Sequence, residues 1–130
     1  MTARIYRAQS YRNLWLVKAA AGSPIAEPSL FRLLIDTGSS YTVLPVKVLE
    51  TMGCAVSRSK TIPIVAAGGI LQASIVTIPW FNCLGQRVEN FQVVALDLPT
   101  NAFTSGLLGM DFLQRFGIII NTGKGELIIP

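Results

Sequence analysis

Histidine is absent from this 130-residue chain, and that absence removes the usual general base of serine and cysteine hydrolases and the commonest zinc ligand. Carboxylates are what remain for acid–base chemistry, and they are few: seven acidic residues against eleven basic ones, a net charge of +4. Only 14% of the residues are charged while 51% are hydrophobic. That balance excludes a disordered chain and leaves more apolar surface than a lone domain of this size needs to hide. A hydrophobic subunit interface, most simply that of a homodimer, is the resulting expectation.

Cysteine is scarce too. Cys54 and Cys83 stand alone, without metal-ligand spacing; a single disulfide between them is open, and reduced, buried thiols are the default expectation. No apolar run approaches the roughly 18 residues that span a bilayer, and the basic, polar start is not followed by a hydrophobic segment. A soluble, cytoplasmic protein with no membrane partner is expected. Arg4, Arg7, Arg12 and Lys18 lie near the start and the remaining bases are scattered singly without aromatic interleaving, so nucleic acid is not an expected partner.

What is present is strand signal. β-Branched and aromatic runs predict strands over 14–19, 30–35, 61–65, 70–78, 88–96, 117–121 and 126–129, with turn residues in nearly every gap. Residues 46–53 have one apolar face, begin after Pro45 and end on Gly53, which predicts a short helix. A second is predicted over 111–116, with Asp111 in its first turn and Gly117 ending it. The class is all-β with one or two short helices, in one domain over 1–130, with residues 1–12 set apart as a candidate N-terminal extension.

The chemistry concentrates in Leu33-Leu34-Ile35-Asp36-Thr37-Gly38-Ser39-Ser40. An aliphatic strand there delivers one carboxylate onto a tight turn. Two close carboxylates sharing a proton can hydrolyse a peptide bond without metal or covalent nucleophile, one activating water and the other protonating the carbonyl. The other aspartates are Asp97 and Asp111. Neither sits in a second hydrophobic-hydrophobic-Asp-Thr/Ser-Gly loop, and both are read as ordinary structural acids, one in an Asp-Leu-Pro loop and one at a helix start. The partner carboxylate must then come from another chain.

Leu34-Ile35-Asp36-Thr37-Gly38-Ser39, then Thr42-Val43-Leu44-Pro45, then Gly106-Leu107-Leu108-Gly109 before a helix, resemble the retropepsin family, the single-domain dimeric relatives of pepsin. The order and spacing agree over about residues 30 to 120. The resemblance implies a closed or partly open β-barrel of the acid-protease type and an aspartic endopeptidase with Asp36 catalytic. It implies that Thr37, Gly38 and Ser39 support the loop, with the Thr37 hydroxyl bonded to the opposite subunit, and that Leu108 and Gly109 pass under it. Leu34, Ser40 and Leu107 would line a groove for peptides with apolar residues at the scissile bond. The hairpin over residues 62–71, with Ala67, Gly68, Gly69 and Ile70 toward its small-residue tip, would be the flap. No metal or other cofactor is implied.

Two further expectations follow. A Ser39 hydroxyl donating to the Asp36 carboxylate would favour its ionised form and make the dyad more acidic than an alanine there would. The apolar strand 126–130 would pair across the dimer, as chain ends do in this family. Departures are visible: where retroviral members place an acid and an arginine that pair in support of the dimer, this chain has Ser40 and Met110. Trp15, Trp80 and Phe81 are assigned to core or interface. Two alternatives stay open: a catalytically latent peptide-binding or dimerisation module, and a protease that processes itself or a single partner.

Overall fold

Alternating burial along each strand decides which side chains enter the core. The computed structural model describes residues 2–66, 68–99 and 104–130. Its strands are β1 (Arg4–Arg7), β2 (Gln9–Tyr11), β3 (Leu14–Ser23), β4 (Ala26–Ile35), β5 (Val43–Leu44), β6 (Thr61–Ala66), β7 (Gly69–Cys83), β8 (Gln86–Ala95), β9 (Gly106–Leu108), β10 (Ile119–Asn121) and β11 (Glu126–Ile129). Two short helices, α1 (Val46–Thr51) and α2 (Met110–Arg115), interrupt them. Among the described residues no helix is long and apolar enough to cross a membrane.

Eight strands form one sheet in the order β2-β3-β4-β9-β5-β8-β7-β6, and a further antiparallel pairing of β3 with β7, Ala19 opposite Cys83 through Gly22 opposite Trp80, joins its two flanks. That pairing closes β3, β4, β9, β5, β8 and β7 into a six-stranded ring. The inside is filled by Leu33, Leu44, Ile78, Phe81, Val93 and Leu108. α2 adds Phe112, whose ring meets Phe81 edge-on at 5.5 Å between centroids, and α1 adds Leu49. A smaller cluster, Val43, Ala73 and Val94 with Tyr41, Ile62, Ile64, Leu96 and Leu107 against it, lies apart from this core.

The long β7–β8 ladder changes phase midway. Val76 and Ile78, then Phe81 and Cys83, are buried on β7; Val88, then Phe91 and Val93, on β8. The break falls at Pro79 on one strand and at Asn90, with φ 51°, on the other. A proline lacking a ladder donor and an asparagine tolerant of positive φ suit that switch.

α1 starts at Val46, whose N–H donates to Asp97 Oδ1 at 3.0 Å, and Gly53 follows its end with φ 94°. Residues 1–12, set apart above as a candidate extension, include two strands: β1 pairs with β11 and β2 with β3. The terminal strand departs from its expected role. β11 is the central strand of the three-stranded sheet β1-β11-β10. Both of its edges are bonded within the chain, and Leu127 and Ile129 face the core. It therefore offers no free edge for pairing across a dimer; the outer edges of that sheet belong to β1 and β10. The thiols are both free, Cys83 buried and Cys54 only partly so.

Candidate active site

β4 runs parallel to β9, with Leu33, Leu34 and Ile35 in register with Gly106, Leu107 and Leu108, and β9 in turn meets β5 at Val43. The loop 36–42 is thus slung between two strands that share β9 as a neighbour. Asp36 opens it, its N–H donating to the Leu108 carbonyl at 3.0 Å. The chain then turns back on itself: Ser39 N–H donates to the Asp36 carbonyl at 3.2 Å and Gly38 N–H to Asp36 Oδ1 at 2.9 Å. One carboxylate oxygen is therefore oriented by backbone. The Asp36 side chain is half-buried, while Thr37, Gly38 and Ser40 are exposed.

The expected bond from Ser39 to Asp36 is not formed. The Ser39 hydroxyl donates instead to the Tyr41 carbonyl at 2.6 Å, the local acceptor two residues on that serine side chains commonly find. The support for a more acidic dyad falls with it.

Behind the loop, Gly109 passes so close that a Cβ there would be driven into the Tyr41 carbonyl and would crowd the Ser39 carbonyl oxygen. Only glycine allows that approach. Met110 N–H donates to the Ser39 carbonyl at 2.7 Å. Thr42, fully buried, donates its N–H to Asp111 Oδ2 at 2.9 Å and its hydroxyl to Asp111 Oδ1 at 2.8 Å, and accepts the Gly109 N–H at 3.2 Å. Burial pushes the Asp111 carboxyl above the ordinary aspartate value, against the Thr42 and Phe112 donors, which pull it down.

Asp36 faces a groove of about 620 Å³. Gly38, Ser39, Ser40 and Tyr41 form one wall, Pro63 to Ala66 of β6 the other, and Val43, Val94, Leu96 and Leu107 the apolar floor. Of the residues assigned from sequence, Asp36, Gly38, Ser39, Ser40 and Leu107 come together here. Leu34 does not: it is half-buried within β4, opposite Leu16 and Leu107. Thr37 lines a separate, largely apolar cavity of about 280 Å³ with Met110, Leu113, Ile118 and Ile120. Leu108 is a core residue, meeting Asp36 through its carbonyl.

Gly68, Gly69 and Ile70 are exposed at the β6–β7 hairpin tip, and Ala67 lies outside the described residues. The hairpin reaches the groove through residues 63–66 of its first strand rather than through its tip. Sequence reasoning missed Tyr41, Val94, Leu96 and the role of Asp111. Among the described residues no group of three or more histidine, cysteine or acidic side chains could hold a metal ion.

A family model described as aspartyl protease matches residues 26–112, from the start of β4 into α2. The crystal structure of a retropepsin-like aspartic protease from Rickettsia conorii is similar over 98% of this chain and 92% of that chain, with a TM-score of 0.68 at 20% sequence identity. At that identity the likeness is one of fold: mostly β with two short helices, retropepsin-like. No curated protein matches the sequence.

Proposed function

The chain belongs to the aspartyl protease family, and from the peptidase activity this implies we propose that it is an endopeptidase working as a homodimer, with Asp36 of each copy forming one proton-sharing dyad. The observation that carries the reading is that, among the described residues, Asp36 is the sole carboxylate lining the groove. Asp97 is bonded to the α1 N-terminus and Asp111 to Thr42. One carboxylate is half of the required pair, and a second copy supplies the other.

In the dyad one carboxylate is ionised and takes a proton from the bound water. The other holds the shared proton and gives it to the substrate carbonyl oxygen as the water attacks. Collapse of the tetrahedral intermediate returns a proton to the leaving amine. The Gly38 N–H on Oδ1 orients the carboxylate without side-chain help. Apolar side chains on either side of the scissile bond suit the floor of Val43, Val94, Leu96 and Leu107. The β6–β7 hairpin is the lid: Val65 and Ile70 are 81% and 72% exposed near its tip, apolar surface that substrate or the second lid would cover. The largely apolar cavity beside Thr37 supports placing the second copy on that side of the loop. The whole chain acts as one protease domain.

The test is digestion of a diverse peptide mixture at high protein concentration, from acidic to neutral pH, by the parent and by Asp36→Asn. Cleavage beside apolar residues that falls to background in Asp36→Asn is expected. Cleavage that survives the substitution, or none by the parent, overturns the proposal, the latter in favour of a latent binding module.

A further inference from the structure

Outside the groove, one carboxylate gathers three donors. Asp111 Oδ2 accepts the Thr42 N–H, and Oδ1 accepts both the Thr42 hydroxyl and the Phe112 N–H, the latter at 2.8 Å. The Thr42 hydroxyl, having given its proton to Asp111, accepts from Gly109 N–H. From Gly109 through Thr42 to Asp111, every proton points toward the carboxylate. Such an array suits an acceptor-only group. A protonated carboxyl would carry a hydrogen on one of these oxygens, which makes that oxygen a poorer acceptor and removes the charge that strengthens all three bonds.

The bonds in question fasten the far end of the Asp36 loop. β9 holds its near end through Asp36 N–H to Leu108, and the residues directly after β9 hold the rest, Met110 to Ser39 and Gly109 to Thr42. Asp111 lies at that junction. We propose that Asp111 is a positioning residue for the Asp36 loop, holding Ser39 to Thr42 in their working geometry while its carboxylate is ionised and releasing them when it is protonated. This rests on reading Asp36 as half of a peptidase dyad.

The cavity behind Asp111, about 420 Å³, contains Tyr41 and Arg115 as its other titratable or charged groups; β7 and β8 contribute Thr77, Asn90, Phe91 and Gln92, all uncharged. Thr42 and Gly109 are uncharged as well. Burial sets the balance, raising the Asp111 carboxyl from its ordinary value. The Thr42 and Phe112 donors lower it against that burial, and these are the bonds that protonation weakens.

The experiment follows the amide proton shifts of Thr42, Gly109 and Met110 in the isotope-labelled full chain from acid to neutral pH, alongside kcat and KM for a peptide it cleaves. Loss of a charge-assisted bond should move the Thr42 amide upfield as pH falls, with Gly109 and Met110 following at the same midpoint. Through that midpoint kcat should drop roughly 10- to 100-fold, as for a slightly misplaced catalytic group, with KM nearly constant.

In Asp111→Asn, whose side-chain NH2 faces donors, the amide titration should vanish and kcat stay low without that limb. Thr42→Ser, which keeps both roles of the hydroxyl, should retain the parent profile. Amide shifts insensitive to pH in the parent would overturn the proposal, as would an Asp111→Asn profile with its limb at the parent midpoint. If the parent cleaves no peptide, the peptidase reading of Asp36 fails, and the amide titration alone still decides whether Asp111 governs the loop.

Discussion

Thr42→Val exchanges a hydroxyl for a methyl of nearly equal shape at a site with no solvent exposure, so its cost is one of hydrogen bonding and not of volume. The variant loses the 2.8 Å bond to Asp111, an interaction with a charged acceptor that contributes about 1.5–3 kcal/mol. It also removes the acceptor of the buried Gly109 N–H, and an unsatisfied buried donor costs about 1–3 kcal/mol. Together these destabilise by about 3–5 kcal/mol, a large part of the roughly 5–15 kcal/mol that holds a domain folded. At this chain length that corresponds to a fall in Tm of roughly 10–20 °C. Thr42→Ser is the control, losing only a methyl at about 0.5–1.5 kcal/mol. Urea unfolding at one fixed protein concentration is the assay, since any dimer would make stability concentration-dependent. A Thr42→Val protein within about 1 kcal/mol of Thr42→Ser would refute the reasoning, because the hydroxyl would then contribute no more than its volume.

Ser39→Ala should leave the acidic limb of cleavage where it is and cost about 0.5–1.5 kcal/mol of stability, because its hydroxyl donates to the Tyr41 carbonyl and not to Asp36; a limb displaced upward would restore the bond expected from sequence. Burial pushes the Cys83 thiol from 9.0 to about 12, so between those values the unfolded chain gives up this proton first and the folded state keeps it. Stability from this group is thus full below pH 9 and falls as pH rises toward 12, by at most about 1.4 kcal/mol per pH unit. The stability difference between parent and Cys83→Ala, followed by urea unfolding under reducing conditions, should shift against the parent with rising pH over that window; a constant difference would contradict the assignment.

Much of the barrel is legible in the chain because its long strands carry their own period: β3, β4, β7 and β8 each alternate against a packed interior. α1 and α2 announce themselves through Pro45, Gly53 and Gly117. β5 and β9, two and three residues long, are too short to show a period, and they were legible only as motifs around Thr42 and Gly106. β1 and β2 bury almost nothing, so Arg4 to Tyr11 read as an appendage; only pairing with β11 and β3, at opposite ends of the chain and across a turn, makes them strands. The middle position of β11 is equally a matter of partners, since an apolar strand looks the same at an edge and at a centre.

At the site, local sequence revealed Asp36 and its turn but not what braces them. Thr42 and Asp111 lie 69 positions apart, and a helix-start acid has a sufficient local explanation. The orientation of the Ser39 hydroxyl turns on competition between two nearby acceptors, which residue types do not resolve. The hairpin over 62–71 was legible as a lid, but which of its residues face the groove was not: small tip residues drew attention to Gly68 and Gly69, whereas Pro63 to Ala66, further back along β6, line it.

A mixing experiment tests the central claim most directly. Parent chain is held constant and equilibrated with a roughly ninefold excess of Asp36→Asn chain, then assayed for peptide cleavage. If the dyad takes one Asp36 from each of two copies, random pairing leaves about one tenth of the parent chains with a parent partner, and cleavage falls to about one tenth of its starting value. Cleavage that holds steady through the excess would show that one chain suffices and would contradict the shared dyad.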